Sequence, residues 1–362
     1  MDRKPVDRVP VMCQLSIGHM LLQLGVSPAE FWCDPQVYVD GLFSIRETYD
    51  FDGILVSLHG HNPEWRKNIA GRQTRNAGEE ILWVDGSRTL FPPDDLPIHT
   101  PSPNGGETDD PSLWEATVPI HYIPVSQGLR FDVHPAHRYD VLEDVVRRSG
   151  GRYSVHGEIT SPFDYFLDRA GSQAGLLVLI DDPDAAHKIL SAFTAKIVAL
   201  AEGMCSTGID AIKISSPFAG AGFISPAFYA TFVQPYERRI IAAIRARGVK
   251  AYLHTCGAIR DRLELMIGSG ADGIECLDPP PLGTIELDEA LRQIGGRCFV
   301  KGNVDSVNVL LRGTRPEILA DVSHRLAAGR KAGGYILSTA CSIAPHVPRE
   351  NVLILREAVE GR

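Results

Sequence analysis

Three residues of this chain have the right types and surroundings to hold a soft metal ion: His254 and Cys256 in Ala-Tyr-Leu-His-Thr-Cys-Gly, and Cys341 in Leu-Ser-Thr-Ala-Cys-Ser. Each follows an apolar run that reads as a short buried strand. Zinc takes Cys sulfur and His nitrogen in tetrahedral geometry, and three protein ligands leave a fourth position open for substrate. Structural zinc sites usually draw on Cys-x2-4-Cys pairs close in sequence. A set split between two distant strand ends fits a site that must stay accessible. His-x-Cys alone is a weak pattern, since buried cysteines and satisfied core histidines are common.

The elements that must carry these residues are short apolar strands alternating with helical patterns. Val9–Met12, Gly53–Leu58, Arg152–Val155, Ala211–Ile214, Val249–Leu253, Gly273–Ile274, Arg297–Val300 and Gly334–Leu337 give about eight strands with helices between them. Glycine steps precede three of them, at Thr207-Gly208, Ser269-Gly270 and Gly333-Gly334, where a helix must end and a strand begin. The pattern predicts an α/β fold of the TIM (β/α)8 barrel type, as a single domain over residues 1–362. A doubly wound open sheet is the runner-up, but no Gly-x-Gly-x-x-Gly follows any strand. From about Asp85 to Tyr139 the sequence is rich in Pro, Asp, Gly and aromatics and shows no helical period. That stretch is expected to be an irregular insertion, either a lid or hairpin excursion or padding of the barrel rim.

Catalytic groups of a barrel gather at the C-terminal ends of its strands. The residues there are His59, His61, His156, Glu158, Ser215, Ser216, His254, Cys256, Glu275, Asp278, Asn303, Asp305 and Cys341. Glu275, on the strand after the His254–Cys256 strand, is the candidate fourth metal ligand; its competing role is a hydrogen bond to His254 or to a ligand thiol. Cys276 alternates to the opposite face and is expected in the core. His59 and His61 share a strand face, and binding of substrate, binding of metal and simple exposure at the rim are equal readings. His156, Glu158, Asn303 and Asp305 are candidates for substrate contact, with a structural turn as the equal alternative for the last two.

The bulk composition narrows the functional classes. With 362 residues, 44% hydrophobic, the chain can bury a large core. A net charge of -9 argues against nucleic acid, whose phosphates require clustered Lys and Arg. No apolar run is long enough to span a bilayer, and the beginning of the chain lacks the apolar segment of a secretion signal. Seven dispersed cysteines fit free or metal-bound thiols in a reducing cytoplasm.

Several stretches carry a likeness to a known family. They are the opening Lys4-Pro-Val-Asp-Arg-Val-Pro-Val11, Ile224-Ser-Pro-Ala-Phe-Tyr-Ala-Thr-Phe-Val-Gln-Pro-Tyr236, Gly302-Asn-Val-Asp305, Gly313-Thr314, and Pro348-Arg-Glu-Asn-Val352. On these the chain resembles the uroporphyrinogen decarboxylase superfamily, which implies a TIM barrel. The region Met12–His19 contains no Arg, whereas true decarboxylases carry an Arg-rich stretch there that grips the substrate carboxylates. His254, Cys256 and Cys341 look instead like the zinc motif of the superfamily's corrinoid:thiol methyltransferases, of the methylcobalamin:coenzyme M type. More distantly they resemble that of cobalamin-independent methionine synthase, and a completing Glu there suits Glu275.

The likeness implies a zinc-dependent transfer of a methyl or other alkyl group to a thiol. Zinc would convert the thiol to a thiolate, which attacks the methyl carbon. No Asp-x-His-x-x-Gly-like corrinoid signature is present, so a corrinoid, if used, would come on a separate carrier protein. The expected state is monomer or homodimer. Two other classes stay open: a lyase acting on a smaller carboxylic acid without metal, through His59, His61 or Asp52, and a non-catalytic sensor with a closed zinc site.

Overall fold

The computed structural model describes residues 1–4, 6–102, 122–125 and 129–361. Seven strands form one all-parallel sheet, in sequence order: β1 (Gly53–Val56), β2 (Ser154–Thr160), β3 (Ala211–Ser215), β4 (Lys250–Thr255), β5 (Gly273–Cys276), β6 (Phe299–Val304) and β7 (Tyr335–Thr339). These are the runs predicted from sequence, and the helices between them cover the outer face as the barrel template requires. The glycine steps do what their position demanded, with Gly208 at φ 88° and Gly270 at φ 89° turning from helix to strand in the left-handed region.

The eighth stave is a short extended segment around Val11. Val11 bridges Leu337 in parallel, Leu337 N donates to Pro10 O at 2.9 Å, and Asp52 N donates to Val11 O at 2.8 Å. Pro10 has no N–H to give, which limits the length of this pairing. The segment nonetheless fills the space between β7 and the start of β1, so the curled sheet is consistent with a closed TIM barrel.

Side chains of one parity point into the barrel. The lower interior layer is apolar: Met12, Ala211, Tyr252, Phe299 and Ile336 form a cluster separate from the large core between strands and helices. Two residues further along the same strands the layer turns polar, with Lys213, His254, Glu275 and Lys301. The register sets them side by side: Lys213 opposite Glu158, His254 opposite Glu275, and Glu275 opposite Lys301.

Between β1 and β2 the chain leaves the barrel. An antiparallel sheet runs through Ile69–Arg75, Gly78–Trp83, Arg88–Phe91 and Ile98–Thr100, and a two-stranded hairpin follows at Tyr122–Val125 and Leu129–Asp132. The excursion thus begins near Ile69, earlier than the Asp85 expected from composition. The expected irregular insertion at 85–139 includes residues 103–121 and 126–128, which lie outside the described residues. No helix among the described residues is long and apolar enough to cross a membrane.

A candidate metal centre at the strand ends

His254 ends β4 facing inward, and Cys256, two residues on, keeps the same direction. Cys341 arrives from the turn after β7. The three donor atoms lie within 4.8 Å of one another. Cys256 Sγ is 3.3 Å from His254 Nε2 and 3.9 Å from Cys341 Sγ. His254 is 3% exposed, so the set is sheltered from bulk water. The loop after β3 packs close behind. Ser216 N donates to His254 O at 2.8 Å, and a Cβ at Gly220 would stand 2.4 Å from Cys256 O, so only glycine permits that approach.

Glu275 lies behind the imidazole. Its Oε2 is 2.9 Å from His254 Nδ1, and its Oε1 accepts from Lys301 Nζ. Lys213 Nζ reaches Glu275 Oε2 at 3.3 Å, Glu158 Oε1 at 3.0 Å and Gln14 Oε1 at 2.5 Å. Two buried lysines and two carboxylates therefore balance one another beneath the donor set. Burial works against ionised Glu275, but Lys213 and Lys301 outweigh it and hold the carboxylate well below its usual range. Burial and Lys213 also push His254 down; Cys341 and Glu275 overcome them and raise it. A carboxylate on Nδ1 fixes the proton on that nitrogen and leaves Nε2 toward the thiols, the arrangement in which histidine ligates metal.

Cys256 is the most acidic thiol of the group. Hydrogen bonds from Cys276 first and Cys341 second hold it down to about 5, against the opposing effect of burial. Cys341 is driven up, chiefly by its hydrogen bond with Cys256 and then by burial. One thiolate shared between thiols and an imidazole is what a thiophilic cation replaces when it displaces their protons. The donor set fits zinc: one nitrogen, two sulfurs and a shielded but reachable position.

The other sequence candidates fall elsewhere. His59 and His61 are buried, not at an exposed rim. His59 Nδ1 is 3.1 Å from Arg138 O and its Nε2 has no partner among the described residues; His61, between Tyr38 and Phe131, has none among them on either nitrogen. Burial lowers His59 to about 4 and His61 to about 3. His156 uses both ring nitrogens inside the barrel, with Tyr252 Oη at 3.0 Å and Ser154 Oγ at 2.9 Å. Asn303 donates to Leu277 O at 2.7 Å and accepts from Arg325. Asp305 accepts from the amides of Val307 and Asn308 at the start of the π-helical turn Ser306–Leu311. Asn303 and Asp305 both make bonds of the structural kind.

Sequence reasoning passed over Lys213, Lys301, Asp164 and Glu237. The lysines had a visible signal: each interrupts an otherwise apolar strand, Ala-Ile-Lys-Ile and Phe-Val-Lys-Gly, at an inward position. Glu237 accepts from Ser216 Oγ at 2.6 Å and from Tyr229 Oη at 2.7 Å, bracing the loop behind His254. Tyr229 opens the π-helical turn Tyr229–Val233, a local widening often found beside functional sites. Asp164 supports the same loop through Phe218 N at 3.1 Å, and burial lifts its carboxyl to about 7.

Comparison with known proteins agrees with the fold. A family model described as uroporphyrinogen decarboxylase (URO-D) matches residues 131–362. The chain is 28% identical over 243 residues to a uroporphyrinogen decarboxylase of Salinispora tropica, covering 63% of this chain and 62% of that protein. It is 30% identical over 164 residues to the methylcobamide:CoM methyltransferase MtbA of Methanosarcina acetivorans, covering 45% of each. The matched stretches thus fall short of two thirds of these relatives' own lengths. A solved methyltransferase from Methanosarcina mazei superposes with a TM-score of 0.74 at 19% identity, covering 99% of this chain and 96% of that one. A B12-independent methionine synthase from Shewanella superposes with a TM-score of 0.55 at 12% identity, covering 98% and 97%. With the family model matching well over half of its residues, this chain belongs to the uroporphyrinogen decarboxylase (URO-D) family, whose matched members include both decarboxylases and methyltransferases.

Proposed function

We propose that this protein is a zinc-dependent methyl or alkyl transferase acting on a thiol acceptor. The observation that carries this reading is the convergence of His254 Nε2, Cys256 Sγ and Cys341 Sγ at the barrel mouth, with Glu275 fixing the imidazole from behind. Zinc bound there would supply the Lewis acidity that makes an incoming thiol nucleophilic at neutral pH. The residues of the chain do the rest. His254, Cys256 and Cys341 hold three positions and leave the fourth to the acceptor. The Lys213–Glu275–Lys301 arrangement keeps His254 in one orientation, and the buried walls limit water at the reacting sulfur. Glu275, engaged by His254 and two lysines, serves as the orienting group and not as the fourth ligand. The methyl donor that best suits the relatives is a corrinoid brought by a separate protein.

Decarboxylation of a many-carboxylate substrate finds less support. The segment Met12–His19 has no Arg, and its Gln14 accepts from Lys213, which is already committed to two carboxylates. The decisive experiment measures metal content and then titrates small thiols calorimetrically in buffers of differing ionisation enthalpy. The expected result is one tightly held zinc, thiol binding that releases a proton only when zinc is present, and no turnover of uroporphyrinogen. Zinc-loaded protein that binds no thiol, or binds one without proton release, would overturn the reading.

A further inference from the structure

A second group of donors meets the first at Cys256. Cys256 Sγ, Cys276 Sγ and a carboxylate oxygen of Asp278 lie within 4.8 Å of one another. By strand alternation Cys276 should point away from the barrel mouth. It does not, because the backbone leaves β5 with two successive residues in the left-handed region, Cys276 at φ 86° and Leu277 at φ 53°. Non-glycine residues avoid that region, and such strain persists where the surroundings enforce it. Here Asn303 Nδ2 clamps Leu277 O at 2.7 Å, and Asp278 Oδ2 accepts from Gly257 N at 2.6 Å and from Cys276 Sγ at 3.2 Å.

Asp278 is 5% exposed and Cys276 is fully buried. Among the described residues, Asp278 forms no ion pair; its partners there are the Gly257 amide and the Cys276 thiol, both neutral. A buried carboxylate without a cation is costly, and the group that would relieve it is a positive charge between Asp278 and the two sulfurs. Two thiolates and a carboxylate oxygen are a donor set for a thiophilic divalent ion.

We propose that Cys256, Cys276 and Asp278 form a second site for a thiophilic divalent cation, adjoining the proposed zinc centre and sharing the Cys256 sulfur as a bridge. The proposal rests on the preceding reading only in assigning Cys256 as a ligand. Filling the second site engages the Cys256 lone pairs on both sides and narrows the space left for an acceptor thiol. Excess metal then acts as a brake on the centre it also supplies.

The test is a titration of metal-free protein with Cd2+, following sulfur-to-cadmium charge-transfer absorbance, which grows with the number of coordinated thiolates, and counting bound ions by equilibrium dialysis. The expected result is two ions per chain and absorbance for three thiolates in the unaltered protein. Cys276→Ser should bind one ion with two thiolates. Asp278→Asn, which keeps the side chain's shape, should weaken the second ion at least tenfold and leave the first. Saturation at one ion that is lost in Cys341→Ser and untouched in Cys276→Ser would overturn the second site while leaving the first standing. A single ion lost in Cys276→Ser but retained in Cys341→Ser would instead uphold this site and overturn the three-ligand centre.

Discussion

His254 and His61 are both buried at strand ends of the same barrel mouth, yet their surroundings drive them in opposite directions. His254, on the β4–β7 side, has a carboxylate on one nitrogen and a thiol at the other. His61, on the β1 side, lies between Tyr38 and Phe131, with no hydrogen-bond partner for either nitrogen among the described residues. Burial first and the neighbouring His59 second lower His61 to about 3, whereas Cys341 and Glu275 overcome burial at His254 and raise it. Proximity to the mouth does not make a histidine a ligand; a fixed tautomer and a second donor at bonding range do.

The largest effect on this contrast should come from Glu275→Gln. It removes the negative charge that Lys301 and Lys213 share and loosens the hold on His254 Nδ1. Leaving buried cations short of a partner costs about 3–5 kcal/mol, and loss of an orienting partner lowers metal affinity about 10–100-fold. Chemical denaturation and competition with a chelating dye measure the two. Unchanged metal affinity would mean that His254 is held by its strand alone and that the contrast with His61 has another origin.

A smaller effect should follow from His61→Phe, read as stability against pH. In the unfolded chain this histidine titrates near its ordinary value of 6.5, while in the folded protein it stays neutral down to about 3. The unfolded state therefore binds the extra proton as pH falls, and stability present above pH 6.5 is lost progressively below it. The variant has nothing to protonate at this position, so at pH 4 it should exceed the native protein by about 1–3 kcal/mol, with the advantage fading toward pH 7. Thermal melts across pH 4–7 check this. An advantage that is constant with pH would reflect packing instead of the buried imidazole.

Asp305→Ala should do least. It deletes a cap on the turn Ser306–Leu311, worth about 1 kcal/mol, and should leave metal binding untouched. A large loss of metal in this variant would restore Asp305 to the site from which its hydrogen bonds remove it.

Much of this architecture was legible in the sequence because the barrel strands are buried on both faces and read as compact apolar runs, punctuated by glycines such as Gly208 and Gly270. The convergence of His254, Cys256 and Cys341 was legible because they follow those runs directly. The sheet that begins at Ile69 was not, since Ile69–Arg75 is largely exposed and its polar run Arg72-Gln73-Thr74-Arg75 carries no apolar face. Its order comes from cross-strand pairs such as Arg72–Glu79 and Arg75–Glu80, which composition does not reveal. Cys276 is buried as its place on the strand implied, but alternation sets a side chain's direction only while the backbone stays extended, and two left-handed residues bring its sulfur beside Cys256 and Asp278 instead. Asn303 and Asp305 have the right types for substrate contact, and their bonds to Leu277 O, Arg325 and the amides of Val307 and Asn308 are not legible in the sequence.

Cys256 and Cys341 are 85 residues apart, with β5, β6 and β7 and their helices between them. A chain growing from its N-terminus therefore presents one half of the donor set long before the other. The set comes into being when the last strand docks, which is also when β7 meets the Val11 segment and the seam of the barrel shuts. An ion captured at that moment would staple a long loop, and release would require the turn after β7 to pull away. On the proposed reading, metal acquisition would be a late assembly event: an intermediate that has not seated its final stave lacks Cys341 at the site, and it would retain a metal only as weakly as a partial set allows.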